Sequence, residues 1–370
     1  MNENQKFLTE QIITYIGNKR SLLSFIENPL KRVKKELGKE KLDIADVFSG
    51  SGVVSRFFKR YSSNLYVNDL EDYCFTINSC YLTNEKSISK KELNKWYRYV
   101  IDNINNHGLV KGFISELYSP VDDNNIRKGE RAFYTSRNAM YIDTCRKYIE
   151  DVPSPYKELL LGPLLYEAST KVNTSGVFKG FYKNSSTNIG QWGGNGENAL
   201  NRIKANIELK KPVLSNFNTK VTLYKMDANK LHKVMPHVDL VYMDPPYNQH
   251  PYSSNYFMLN LINNYKKPEV ISKVSGIPEK WNKSKYNKKV QALVSLEKLC
   301  RKIDASYILI SYNSEGFITY KEMIKMLESI GKVKVYEKKY NTYRASRNLK
   351  DRKLHVKEFL FLVKKEDEQC

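Results

Sequence analysis

Asp244-Pro245-Pro246-Tyr247 is the stretch of this chain best suited to chemistry. It follows Val238-Asp239-Leu240-Val241-Tyr242-Met243, a β-branched and apolar run that reads as a buried strand, so the tetrapeptide falls at that strand's carboxyl end. Open α/β sheets place their ligands there. Two consecutive prolines have fixed φ and no N–H to donate, so they end the strand and turn carbonyl oxygens away from the ladder. The turn offers acceptors without donors. With the Asp244 carboxylate and the Tyr247 ring added, it suits a planar group carrying N–H donors, such as the exocyclic amine of a nucleobase. Taken alone, the four residues read more simply as a strand-ending Asp-Pro turn with a surface tyrosine. The surrounding sequence has to decide.

Other strands end in residues of matching character. Leu42-Asp43-Ile44-Ala45-Asp46-Val47-Phe48 reads as a buried strand, and Ser49-Gly50-Ser51-Gly52 as a tight turn into a helix carrying Val53, Val54, Phe57 and Phe58. Glycine lets backbone approach a ligand closely and adopt positive φ. Leu65-Tyr66-Val67 is a second strand ending in Asn68-Asp69. A carboxylate there, about 20 residues after the glycine turn, suits the two hydroxyls of a ribose. The pattern matches neither G-x-G-x-x-G nor G-x-x-x-x-G-K-[ST], which favours a smaller adenosine-containing ligand over a dinucleotide or a triphosphate. A third strand, Lys220 to Lys225, runs into Met226-Asp227-Ala228, where Asp227 is suited either to an adenine amine or to capping the helix with Leu231 and Val234. Near the N-terminus, Thr14-Tyr15-Ile16-Gly17-Asn18-Lys19-Arg20 opens a helix, and its N–H groups with Lys19 favour an anion or a carboxylate.

Between Asp69 and Lys220 the strand–helix alternation stops, for far longer than a crossover needs, so most of this stretch is an inserted unit. It interleaves Arg131, Arg137, Lys171, Lys179 and Lys183 with Phe133, Tyr134, Phe178, Phe181, Tyr182 and Trp192, basic groups for phosphates beside rings for stacking. Residues 173–183 are expected to form a hairpin that enters a groove, and Gly190 to Gly196 a mobile loop. Ser306 to Ser311 is a fifth strand; Lys332 to Tyr340 and His355 to Lys364 are two more β-rich runs, joined by a hairpin loop, Tyr343 to Arg347, that could touch a phosphate backbone. The expected division is 1–80 and 216–370 for one α/β domain and 81–215 for the insert.

Across 370 residues the formal charge is +21, spread along the chain, and a polyanionic partner explains it most economically, with part of the excess attributable to a lysine-rich composition. Five cysteines without a C-x-x-C pair and five scattered histidines suggest neither a disulfide framework nor a metal site, and point to a reduced, cytoplasmic setting. No stretch has the length and apolarity of a membrane span, so no membrane partner is expected.

Together these residues resemble the adenine-N6 DNA methyltransferases of the alpha (Dam-like) class, and within it a FokI-methylase-like subgroup. Tyr15-Ile16-Gly17-Asn18-Lys19 is similar to that family's N-terminal motif, Asp46 to Gly52 to its F-x-G-x-G motif, and Asp244 to Tyr247 to its catalytic signature, in the alpha-class order. The resemblance implies a Rossmann-like seven-stranded S-adenosylmethionine-dependent methyltransferase sheet with an inserted, mainly helical target-recognition domain. It implies S-adenosylmethionine bound by Tyr15, Gly17, Lys19, Asp46, Phe48, Ser49, Gly50, Gly52, Asp69, Asp227 and Asp244, and catalysis by Asp244, Pro245, Pro246 and Tyr247. DNA contacts are expected from Arg137, Lys171, Asn173, Ser175, Lys179, Tyr182, Lys183, Trp192 and Arg344. The implied partners are double-stranded DNA and a restriction endonuclease acting on the same site. Ser175 stands where a basic reading residue is expected, which argues against GATC as the recognised sequence. An RNA base methyltransferase and a non-catalytic basic DNA-binding protein are the rival readings; an N4-cytosine enzyme is disfavoured by Asp, in place of Ser, at position 244.

Overall fold

The central strands are buried on both faces, which is why they appear as unbroken apolar runs and not as alternating ones. The computed structural model describes residues 3–194, 199–341 and 355–366. Seven strands, β1 (Leu42–Asp46), β2 (Ser62–Asp69), β3 (Lys220–Lys225), β4 (Val238–Met243), β5 (Ala305–Asn313), β6 (Gly331–Asn341) and β7 (His355–Lys365), form one sheet. Their order is β3-β2-β1-β4-β5-β7-β6. The first five are parallel, and β7 runs antiparallel between β5 and β6. This is an α/β fold with a Rossmann-like, doubly wound parallel portion extended by an antiparallel pair.

Helices α1 (Leu23–Leu37), α2 (Val53–Phe58) and α3 (Asp72–Tyr81) accompany the first two strands. Five more follow before β3: α4 (Lys90–His107), α5 (Phe113–Tyr118), α6 (Ser136–Ile149), α7 (Tyr156–Thr170) and α8 (Leu200–Lys204). Then come α9 (Tyr252–Asn255), α10 (Phe257–Asn264) and α11 (Lys289–Lys302) between β4 and β5, and α12 (Tyr320–Glu328) between β5 and β6. None of the described helices is long and apolar enough to cross a membrane.

Side-chain alternation assigns each strand residue to a face. Ile44, Leu240, Tyr242 and Leu309 pack with α1 and α2, whereas Ala45, Val241, Met243 and Ile308 pack with α11 and α12. The chain builds outward from β1 to β2 and β3, then returns to lay β4 on the other flank of β1, with Ile44 opposite Leu240 and Asp46 opposite Tyr242. Loops leaving β1 and β4 therefore diverge, and the crevice between them is the switch point where such sheets bind ligands.

The helices between β2 and β3 do not enclose a core of their own. Their apolar residues join those of α3, α10 and the N-terminal Phe7 and Ile13. The fully buried Arg56 of α2 ties that N-terminal segment down, donating to the carbonyl oxygens of Phe7, Glu10 and Gln11 at 3.0, 3.0 and 2.8 Å. Its guanidinium lies 3.8 Å from the Tyr81 ring centroid. This clamp sets the loop Tyr15 to Lys19 against the carboxyl edge of the sheet.

One sequence expectation fails here. Residues 173–183 form bends and not a strand hairpin, with a single bridge from Lys183 to Gly190. Val172, Phe178 and Phe181 all turn into the shared core, which a freely projecting hairpin would not permit. In the described part of the glycine-rich stretch, Gly193 N–H donates to Asn173 Oδ1 at 3.0 Å and Trp192 Nε1 to the Asp123 carbonyl at 2.8 Å. Residues 195–196 and the expected loop at 343–347, with Arg344, lie outside the described residues.

Helix α7 crosses α3 at Gly162, where an added Cβ would stand 2.5 Å from Cys80 Sγ. Gly162→Val is expected to lower the unfolding free energy by about 1–3 kcal/mol through overpacking. Urea denaturation measures this, and an unchanged midpoint would contradict the close helix crossing.

Candidate active site

The carboxyl ends of β1, β2, β3 and β4 open on one cavity of about 310 Å3, a size usual for small-molecule sites. Of the expected site residues, Tyr15, Gly17, Lys19, Asp46, Phe48, Ser49, Gly50, Asp69, Asp227, Asp244 and Pro246 line it. Gly52, Pro245 and Tyr247 are not on its wall.

The turn after β1 is shaped by backbone bonds that only short residues tolerate. Ser49 N–H donates to the Asn68 carbonyl at 3.0 Å and Gly50 N–H to Asp69 Oδ2 at 2.8 Å. Gly50 has φ +49°, and a Cβ there would meet Tyr15 at 2.9 Å. Gly52, at φ +74°, begins α2 against the Asn78 side chain, so its part is conformational. Asp69 also accepts Glu71 N–H at 3.0 Å, which fixes the carboxylate while leaving lone pairs toward the cavity. Asp46 Oδ2 accepts the Ser55 hydroxyl at 2.6 Å, whereas its Oδ1 is buried without a partner. Asp227 does both things the sequence allowed: it caps the turn beginning at Ala228, accepting Asn229 N–H at 3.0 Å, and it lines the cavity.

Across the cavity, Asp244 Oδ1 stands 3.1 Å from Lys19 Nζ, and that ammonium is also 3.1 Å from Glu358 Oε1 on β7. Lys19, expected to meet a ligand carboxylate, therefore meets two carboxylates of its own chain. Burial alone would push the Lys19 pKa down, but Asp244 and Glu358 overcome this and hold it well above the usual lysine value. Burial pushes Asp244 up to about 6, Lys19 opposing and Glu358 adding to the rise. Tyr247 packs edge-on against Tyr312, centroids 6.3 Å apart, and its carbonyl accepts Phe317 N–H at 3.0 Å. Tyr15 stacks on both Tyr252 and Tyr256, at 5.0 and 4.7 Å, and Ile16 N–H donates to the Tyr256 hydroxyl at 2.6 Å. These rings hold the N-terminal loop to α9.

Sequence reading missed Glu358, Glu71, Tyr252 and Asn282. Glu71 lines the cavity two residues beyond Asp69 and receives the amides of Asn260 and Asn282 at 2.6 and 3.2 Å. Glu358 did carry a signal: it is the acid just ahead of the apolar run Phe359 to Val363 in a strand flanked on both sides.

The expected DNA-side residues divide. Ser175 and Lys179 are exposed, Lys179 Nζ 3.4 Å from His250 Nδ1 just beyond the Asp244 to Tyr247 turn; Tyr182 and Lys183 are half-buried. Of the remaining described members, all four are engaged inside the protein. Asn173 is fully buried, its amide donating to the Ala132 and Gln191 carbonyls at 2.8 Å each. Arg137 donates to the Ile207 carbonyl at 2.9 Å, Lys171 pairs with the buried Glu167, and Trp192 is held by Asp123. As folded, these four brace the loops and do not present themselves to a partner.

Four adjacent parallel strands, β3, β2, β1 and β4, thus end in acids around one cavity, with the Asp-Pro-Pro-Tyr turn at its edge. Residues 15–326 match the family described as D12 class N6 adenine-specific DNA methyltransferase, and the chain belongs to that family. It is 29% identical over 357 residues to the type II methyltransferase M.CviAII of Paramecium bursaria Chlorella virus 1, spanning 95% of this chain and 98% of that relative. It is 28% identical over 342 residues to the type II methyltransferase M.NlaIII of Neisseria lactamica, spanning 90% and 93%. To the type II methyltransferase M.FokI of Planomicrobium okeanokoites it is 27% identical over 365 residues, 95% of this chain but 52% of that one.

Burial pushes Asp46 and Glu71 up to about 7, as it does Asp244 to about 6. Each acid has a higher pKa folded than unfolded, so from about pH 4 upward the folded chain holds protons the unfolded chain has lost. Their contribution to stability falls as pH rises through that window. Asp46→Asn is accordingly expected to raise the melting temperature at about pH 8, where the buried charge is removed, and to change it little at about pH 5. Thermal melts at both values decide; equal shifts would contradict the assignment.

Proposed function

We propose that this chain methylates the N6 amine of one adenine within a specific sequence of double-stranded DNA, using S-adenosylmethionine, as the modification enzyme of a restriction–modification pair. The observation that carries the reading is that Asp244 and the acids of β1, β2 and β3 share one cavity. The relatives' names, type II methyltransferases, support the biological setting.

The residues present fit the cofactor. Asp46 Oδ1, a buried acceptor without a partner, suits the ammonium of an amino-acid group. Asp69, fixed by two backbone N–H groups, suits a vicinal diol, and Asp227 suits an adenine amine. Gly50 lets the backbone come close. Bound there, S-adenosylmethionine supplies a methyl group made electrophilic by its sulfonium.

The chain's own part follows from its acceptors. An adenine within a duplex is out of reach of Asp244, so it must be turned out of the stack, at a cost of a few kcal/mol. Tyr247, braced by Tyr312, offers a ring face that returns about 1–3 kcal/mol by stacking. Asp244 accepts an N–H of the amine and is already ionised in most molecules at neutral pH. Nitrogen gains positive charge as it is alkylated, and a carboxylate aimed there beforehand stabilises it without reorganisation. Asp244 is also the acceptor for the proton the amine must shed. Ser175, Lys179, Tyr182 and Lys183 remain available for DNA, and the charge of +21 favours salt-sensitive binding to it.

Asp244→Ala is expected to lower the rate of methyl incorporation into duplex DNA by roughly 100- to 1000-fold or more, with cofactor affinity by titration calorimetry close to that of the parent chain. A near-parental rate would refute the role of Asp244.

A further inference from the structure

Glu358 lies on β7, beyond the residues matched by the family, and its side chain is fully buried. A buried carboxylate costs several kcal/mol of desolvation unless well paired, and an apolar residue of similar volume often serves stability as well or better. Its strand neighbours Phe359, Leu360 and Phe361 are buried apolar residues, so the strand itself gives no reason for an acid. The reason lies in what it touches. Oε1 accepts the Ser311 hydroxyl of β5 at 2.5 Å and stands 3.1 Å from Lys19 Nζ, which stands 3.1 Å from Asp244 Oδ1. Exposure rises along this chain, from 0% at Glu358 through 5% at Lys19 to 21% at Asp244.

We propose that Glu358 is a positioning residue for methyl transfer: acting through Lys19, it fixes the Asp244 carboxylate at the reacting amine and offsets the ammonium charge beside it. The proposal rests on the reading of Asp244 as the amine's acceptor.

Two physical points carry it. A lysine ammonium is a point charge on a flexible four-carbon stem, and one ion pair does not fix its place. Held by two carboxylates at 3.1 Å each, the Lys19 ammonium is fixed more closely than one ion pair would fix it, and so is the Asp244 oxygen it holds. The second point is charge. A lone Lys19–Asp244 pair is neutral, and a neutral pair does little for a nitrogen becoming cationic. With Glu358 the cluster is anionic overall, which is the sign the transition state requires. The groups facing Asp244 are Lys19 from the N-terminal loop, Glu358 from β7, Asp46 from β1, Tyr242 from β4, Tyr247 from the turn and Tyr252 from α9. Glu358 and Asp46 are the other carboxylates of that set.

The test is steady-state methylation of duplex DNA by the full chain and by E358Q, with kcat, both KM values and the pH dependence of kcat. E358Q keeps the shape and removes the charge. We expect kcat to fall roughly 10- to 100-fold with both KM values little changed. The acid limb of the profile should move to lower pH, because removing a neighbouring negative charge lets Asp244 ionise more readily. Parental kcat with an unmoved acid limb would overturn the proposal, whatever happened to the melting temperature. E358D keeps the charge on a shorter stem: its acid limb should stay in place while kcat falls at unchanged KM. If E358Q does not fold, E358D decides, and a parental kcat there overturns the proposal. A parent chain that methylates no DNA would instead remove the methyltransferase reading of the site, and this proposal with it.

Discussion

The adjacency of β1 and β4, with their connections leaving in opposite directions, is the constraint from which the site follows. Parallel strands need crossovers, and where the crossovers part company the sheet cannot cover its own carboxyl edge. On one side of that opening lie the glycine turn and the acids Asp46 and Asp69; on the other lies the proline turn with Asp244. Were β4 anywhere else in the order, these residues would still exist but would not face each other. The sheet therefore supplies proximity, and the turns supply chemistry.

What the opening contains is poorly suited to stability alone. Four carboxyl groups, Asp46, Asp69, Glu71 and Asp244, have pKa values raised by burial, one acceptor of Asp46 has no partner, and a buried ammonium is paired with both the buried Glu358 and the half-buried Asp244. Such groups persist where surrounding structure holds them and where a ligand will complete their hydrogen bonds. The support is visible: Arg56 clamps the N-terminal segment by three carbonyls, and the Tyr15, Tyr252 and Tyr256 rings hold its loop to α9. The helices between β2 and β3 share a core with α10 and the N-terminal Phe7 and Ile13, so the inserted segment is packed onto the sheet domain.

The sheet was legible because its central strands, β1, β4 and β5, are buried on both faces and so appear as short apolar runs. The positions around the cavity were legible for the same reason: a residue at the carboxyl end of a parallel strand has its location set by the strand. Pro245 and Tyr247, one and three residues beyond Asp244 in an irregular turn, are off the wall, while Pro246 between them is on it. The insert was legible only in outline. Arg137, Lys171 and Trp192 look like a polyanion-binding set in one dimension, but carbonyl oxygens and Glu167, far away in sequence, take their donors. Asn173 and its neighbours fold inward because Phe178 and Phe181 are drawn to the core. Glu358 escaped notice because its significance depends on Lys19, at the other end of the chain.

The measurement that tests the central claim most directly is a crystal structure of the protein with S-adenosylmethionine bound. A shared cavity requires the amino-acid end of the cofactor near Asp46, its ribose on Asp69 and its methyl group turned toward Asp244, with room between for a planar base. A cofactor bound outside this cavity, or with its sulfonium turned away from Asp244, would contradict the account.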